Sequence, residues 1–264
     1  MEWLESALAD KTVLVTLWFA AFMVAERLHP AVDQPARAMW PRWLNNGVLW
    51  VTTAAVSFGL LLPMTLWVAE QPLWVRPDGW SGWQGLALDL MLYDALIYWW
   101  HRANHVVPFL WRFHQVHHFD ETLDTSSAFR FHFGEVALSA AVRLAVIVAL
   151  ALPFASIVAA ETMVLAAAIF HHSNLRLPRW LERPLSWAVV TPAIHWVHHH
   201  RVRADTDSNY ATVLSLWDRL FGSRSPNPRR LDMPIGIEGQ RETRLDRLLL
   251  LPFRPPPASR VTDG

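Results

Sequence analysis

Five apolar stretches, separated by short polar segments, leave this chain few folds other than a helical bundle in a bilayer. Crossing a bilayer as a helix takes about 20 mostly apolar residues. Runs near 11–25, 46–69, 84–100, 134–152 and 154–170 meet or approach that length. The last two meet at Pro153 and read as a helical hairpin. Composition agrees: 53% of the 264 residues are apolar and 17% are charged, whereas an average soluble protein has about 25% charged. The 16 tryptophans fit the same class, because Trp favours the interface where its ring is buried and its N–H stays wet. The expected fold class is an all-α integral membrane protein with about four to five transmembrane helices.

Other classes are excluded directly. The 23 basic and 23 acidic residues cancel, so no electrostatic footprint for nucleic acid exists. With no cysteine, disulfides, thiolate zinc sites and iron–sulfur clusters are ruled out, and any metal must be held by His, Asp, Glu or backbone. The acidic start, Met1-Glu2-Trp3-Leu4-Glu5, does not read as a cleavable signal peptide. No linker divides the chain, so residues 1–264 are expected to form a single membrane-embedded domain.

Basic residues accumulate on the cytoplasmic side of a membrane protein. Arg27, Arg37 and Arg42 follow the first run, Arg102, Arg112 and Arg130 the third, and Arg176, Arg179 and Arg183 the fifth. This predicts an external N-terminus, five crossings and an internal C-terminus. The Ala-, Arg- and Trp-rich composition points to a bacterial inner membrane. Arg143 and Glu161 lie inside the hairpin, and lone charges there are expensive. Mirrored about Pro153, they fall within about 4.5 Å along the axis, so they are expected to pair. Leu177 to Val190 reads as an interfacial helix with Trp180 and Trp187 at the surface, kinked or restarted at Pro184. Pro255 to Gly264 reads as a disordered tail.

Thirteen histidines occur, twelve of them between His101 and His200. They form HxxxH (His101, His105), HxxHH (His114, His117, His118), a pair closing the fifth run (His171, His172), and a second HxxHH (His195, His198, His199) followed by His200. Residues i, i+3 and i+4 share a helix face, while adjacent residues diverge by about 100°. His117 and His118 can therefore serve two metals, as can His198 and His199. The boxes supply eight ligands and His172 a possible ninth, which suits two ions rather than one. Imidazole binds Fe, Zn, Cu and Ni alike, so ligand type does not choose the metal. His29 is isolated, His132 is ambiguous, and His171 and His200 stand beside better candidates. Asp94, two turns before His101, is expected to orient a histidine from another helix. Asp120, Asp124, Asp205 and Asp207 are expected to be solvated or capping.

These motifs resemble those of the fatty acid hydroxylase / sterol desaturase superfamily. The run from Asp94 to His105 resembles its first box, Leu110 to His118 its second, and Thr191 to His199 its last. Asp207-Ser208-Asn209-Tyr210 through Trp217-Asp218-Arg219-Leu220-Phe221-Gly222 resembles the segment that follows. The likeness covers about 85–223, leaving 224–264 as a C-terminal tail. It implies a histidine-rich cytosolic cap around two iron ions, held by His101, His105, His114, His117, His118, His172, His195, His198 and His199. It also implies hydroxylation or desaturation of a lipid with O2 and electrons from a separate protein of ferredoxin or cytochrome b5 type. Two residues depart from the family's pattern: His200 stands where a small residue is common, and Trp196 where a basic one often is.

Competing readings are a zinc hydrolase, a divalent-metal transporter and an inactive metal-stabilised scaffold. HExxH is absent, which weakens a protease. Transport ligands belong near the midplane in broken helices, whereas these boxes sit at the ends of apolar runs.

Overall fold

A computed structural model describes residues 2–254, without the side chains of 2–5 and 36–38; Pro255 to Gly264 and the side chain of Arg37 lie outside the described residues. The fold is all-α. Its long helices are α1 (Glu2–Leu28), α2 (Ala36–Val56), α3 (Leu62–Ala69), α4 (Gly82–Val106), α5 (Pro108–His118), α6 (Phe133–Leu150) and α7 (Phe154–His172). A π-helical turn at Ser57–Leu61 joins α2 to α3. Pro63 follows it, and its ring cannot accept an ordinary helical neighbour four residues back, which the wider turn accommodates.

Contacts fix the polarity of the bundle. Glu26 near the end of α1 accepts from the backbone of Asn174 and Thr125, and Arg42 at the start of α2 reaches Asp120 and Asp124. At the opposite end, Asp89 on α4 gathers Arg76, Trp80 and Ser156. The helices therefore alternate between a histidine end and a far end. Ser6–Leu28, Met39–Ala69, Phe133–Leu150 and Phe154–His172 are each long and apolar enough to cross a membrane. The third expected crossing, α4, runs end to end beside them but falls short in composition. It carries two buried carboxylates, Asp89 and Asp94, which its neighbours satisfy. Val13, Leu17, Val51, Phe58 and Leu60 are exposed along the spans, as lipid-facing residues are.

The charges of the hairpin do pair: Arg143 Nη1 lies 3.1 Å from Glu161 Oε1. Lys11 of α1 adds a second contact to Glu161 at 3.0 Å, a partner that hairpin geometry could not supply.

The cap is built from α5 and the short helices α8 (Arg179–Ala188), α9 (Pro192–His198), α10 (Arg203–Thr206), α11 (Leu216–Leu220) and α12 (Leu245–Leu250). Helix α8 falls within the run read as interfacial, with Trp180 and Trp187 exposed, and Pro184 lies within it without ending it. Residues 224–254 do not trail away: Met233, Ile235 and Leu248 are buried in the cap.

A buried charge network ties cap to bundle. Arg42 binds Asp120 through Nε at 2.5 Å and Nη2 at 2.8 Å, and Asp124 through Nη1 at 3.0 Å. Asp120 is fully buried, not solvated as expected. Asp124 does cap, closing the turn Thr125–Phe129. Burial alone would raise both carboxyls, but the charge and hydrogen bonds of Arg42 outweigh it, holding Asp124 near about 2 and Asp120 below the usual range. Removing one partner of a buried pair costs about 3–5 kcal/mol. Arg42→Met is expected to lower the apparent Tm in detergent by about 6–20 °C at about 2–4 °C per kcal/mol; an unchanged Tm would contradict this role.

Candidate metal centre

The four histidine segments meet at one end of the bundle. The last two turns of α4 carry His101 and His105, α5 carries His114, His117 and His118, α7 ends in His172, and α9 carries His195 and His198 with His199 at its cap. Their donor nitrogens fall into two groups: His101, His105, His114, His118 and His198, and then His117, His172, His195 and His199, each group within 4.8 Å. The neighbours His117/His118 and His198/His199 are divided between the groups, as a 100° step per residue requires. All nine histidines expected from the sequence are present.

Hydrogen bonds set the ring orientations. His101 Nδ1 lies 2.8 Å from Tyr210 O, His117 Nδ1 3.1 Å from Arg130 O, His172 Nδ1 2.8 Å from Ala168 O and His198 Nδ1 2.6 Å from Ser208 O. A carbonyl can only accept, so each Nδ1 carries the proton and each neutral ring turns a bare Nε2 lone pair inward. Carboxylates do the same for two others: His114 Nδ1 is 2.9 Å from Glu135 Oε1, and His105 Nδ1 is 3.3 Å from Asp207 Oδ1.

The inward atoms have no protein partner that explains them. His105 Nε2, His114 Nε2, His198 Nε2 and both nitrogens of His118 are buried without a hydrogen bond. In the second group, Nε2 of His172 lies 3.1 Å from that of His117 and 2.9 Å from that of His195, which is 3.0 Å from that of His199. For His117 and His172 both atoms are lone-pair acceptors, so their approach requires a positive charge between them. A proton is disfavoured there, since burial and then the neighbouring imidazoles hold the His117, His118, His195, His198 and His199 pKa values well below the usual range. The donor set thus fits metal cations. Of the nine rings, His105, His114, His117, His118, His172, His195, His198 and His199 are each no more than 3% exposed, so water is largely excluded.

The remaining candidates have other partners. Asp94 orients no histidine; it accepts from Val213 N, Leu214 N and Trp217 Nε1 at 3.2, 2.9 and 2.8 Å, fixing the loop beyond Tyr210. His132 caps α6 by accepting from Gly134 N and lies 3.1 Å from Leu249 O. His200 pairs with Asp205 at 2.7 Å, and His171 packs against His195 at 3.9 Å between ring centroids. Neither joins a donor group. Glu135 was not anticipated; its one sequence signal is its place in the first turn of α6, next to the ambiguous His132.

A family model for fatty acid hydroxylase matches residues 86–223. The chain belongs to the fatty acid hydroxylase family. An ornithine lipid hydroxylase of Rhizobium tropici is 28% identical over 193 residues, covering 70% of this chain and 57% of that protein. An alkylglycerol monooxygenase of Xenopus tropicalis is 30% identical over 165 residues, covering 60% and 33% respectively. A cholesterol 25-hydroxylase-like protein of Danio rerio is 26% identical over 220 residues, covering 76% and 83%. No solved structure matches the chain. The match thus spans little more than half of the first of these relatives and a third of the second.

Buried neutral histidines make the metal-free protein acid-sensitive. Their folded pKa values lie below the unfolded value of about 6.5, so the unfolded chain binds more protons and stability rises with pH up to that point. In chelator, the Tm is expected to fall steeply as pH drops from about 6.5 to 5; a flat profile would contradict the neutral, Nε2-inward assignment.

Proposed function

We propose that this chain is a membrane-bound oxygenase that hydroxylates or desaturates a lipid, and that its nine histidines hold two iron ions. The carrying observation is the convergence of inward Nε2 lone pairs in two separate, dry groups. In this reading His101, His105, His114, His118 and His198 hold one ion, and His117, His172, His195 and His199 the other. Iron bound there would supply O2 activation for attack on an unactivated C–H bond. The named activities of the relatives concern lipids, which supports the substrate class.

The chain's own residues do the positioning. Tyr210 O, Ser208 O, Arg130 O and Ala168 O, with Glu135 and Asp207, fix the tautomer and tilt of six rings. The exposed apolar faces of the spans let an acyl or alkyl tail approach laterally. Electrons come from a separate donor of ferredoxin or cytochrome b5 type, since the sequence has no flavin, haem or iron–sulfur motif. The setting is a bacterial inner membrane with the histidine end facing the cytoplasm, as the Arg distribution favours. The whole of residues 2–254 acts as one unit, because the segment 224–254 is packed into the cap.

The test is incorporation of label from 18O2 into lipid by iron-loaded, reduced protein, with His117→Ala and His198→Ala as controls. The wild type is expected to form labelled alcohol, or alkene without label, and each variant to lose product and part of its iron. Turnover that persists in both variants would overturn the assignment. Glu135→Ala is expected to lower metal affinity or activity by about 10–100-fold, the usual cost of removing a carboxylate behind a ligating histidine; unaltered iron binding and turnover would remove Glu135 from that role.

A further inference from the structure

A cavity of about 330 Å³ lies between α8, α9 and the loop after α11. Four arginines line it, Arg176, Arg179, Arg224 and Arg229, against one carboxylate, Glu182. Among the described residues none of the four lies within salt-bridge distance of a carboxylate, although Glu182 acts on Arg229 and Asp218 on Arg224 from farther off. Glu182 accepts from Thr191 Oγ1 at 2.5 Å and is the carboxylate whose charge Arg229 feels. Arg229 donates to Leu175 O at 2.9 Å and lies 5.1 Å from the Trp196 ring centroid. Its burial lowers its pKa; Glu182 opposes this and Arg176 adds to it, leaving about 10. The cavity thus carries an excess of positive charge, with Arg176, Arg179 and Arg224 exposed at its rim and Arg229 half-buried.

Two features indicate what kind of anion. Arg179, Glu182 and Ser186 line the cavity, at i, i+3 and i+7 of α8. Trp180, Arg183 and Trp187 lie one residue on, about 100° round the helix, and both tryptophans are exposed, at 76% and 69%. Beside them, α11 exposes Leu216 and Leu220 and is tied to α8 through Ser215 Oγ and Ser186 O. An apolar, Trp-bearing collar therefore borders a cationic cavity, directly after the histidine end of a membrane-length helix. Such an arrangement matches a molecule with an anionic head and an apolar body. The cavity is separate from the histidines: Ala193 and Val197 line it, while His195 and His199 stand about 200° round α9.

We propose that this cavity binds the anionic headgroup of a membrane phospholipid and so seats the cap on the bilayer surface. The site is independent of the metal held at the histidine centre.

The test titrates the full chain, in zwitterionic detergent, with short-chain phosphatidylglycerol, phosphatidylcholine and inorganic phosphate, read by native mass spectrometry. Saturable binding of phosphatidylglycerol, at least about tenfold tighter than phosphatidylcholine and undisturbed by millimolar phosphate, is expected. Arg176→Gln/Arg179→Gln/Arg224→Gln should weaken it by at least about tenfold with metal content unchanged, while Arg241→Gln/Arg247→Gln, outside the cavity, should not. If the triple variant misfolds, the single Arg179→Gln at an exposed position should still weaken binding severalfold. Equal binding of both lipids, insensitivity to the cavity arginines, displacement by phosphate, or binding of an acidic protein in place of lipid would each overturn the proposal.

Discussion

Two neutral imidazoles do not hold bare lone pairs about 3 Å apart in a dry interior unless a positive charge lies between them. His117 and His172 do hold theirs so, with His195 and His199 continuing the same chain of contacts. The rest of the fold can be read as what is needed to bring such mutually repelling groups together. The cost of burying donor atoms without hydrogen-bond partners is about 1–3 kcal/mol each, and a bound cation would reverse its sign.

Ring orientation depends on backbone held by distant side chains. Asp218 accepts from Tyr210 N and Ala211 N, and Asp94 grips the next residues. Together they present Tyr210 O to His101. The turn after α5 is held by Arg42 through Asp120 and Asp124, and Arg130, whose carbonyl faces His117, is itself buried and bonded to Asn46 and Glu242. The metal-facing geometry thus rests on ion pairs linking the first spans, the cap and the C-terminal segment. Glu242 adds an ion pair to the apolar packing of Met233, Ile235 and Leu248 that holds that segment in the cap.

Much of the centre was legible because helical periodicity acts within a few residues. HxxxH and HxxHH each placed their rings on calculable faces, and the split of His117 from His118 followed from one 100° step. The Arg143–Glu161 pair was legible for the same reason, since a tight turn at Pro153 mirrors two helices. Partners from afar were not. Glu135, the Tyr210 carbonyl and Lys11 come from other segments, and no local pattern says which segment a side chain will meet. Asp94 misled because a carboxylate near a histidine box can equally hold backbone, and here three N–H donors claim it. Asp120 was misjudged because a loop position says nothing of burial beneath another helix. Helix α4 falls below the composition of the other spans because of Asp89 and Asp94, whose partners, Arg76 for one and three N–H donors for the other, come from other segments.

The most direct measurement is elemental analysis of detergent-purified, iron-reconstituted wild-type protein. Two tightly held irons per chain, oxidised by O2 after anaerobic reduction, are the expected result. One metal per chain, zinc that iron cannot replace, or no stoichiometric metal would contradict a two-ion centre built by these nine histidines.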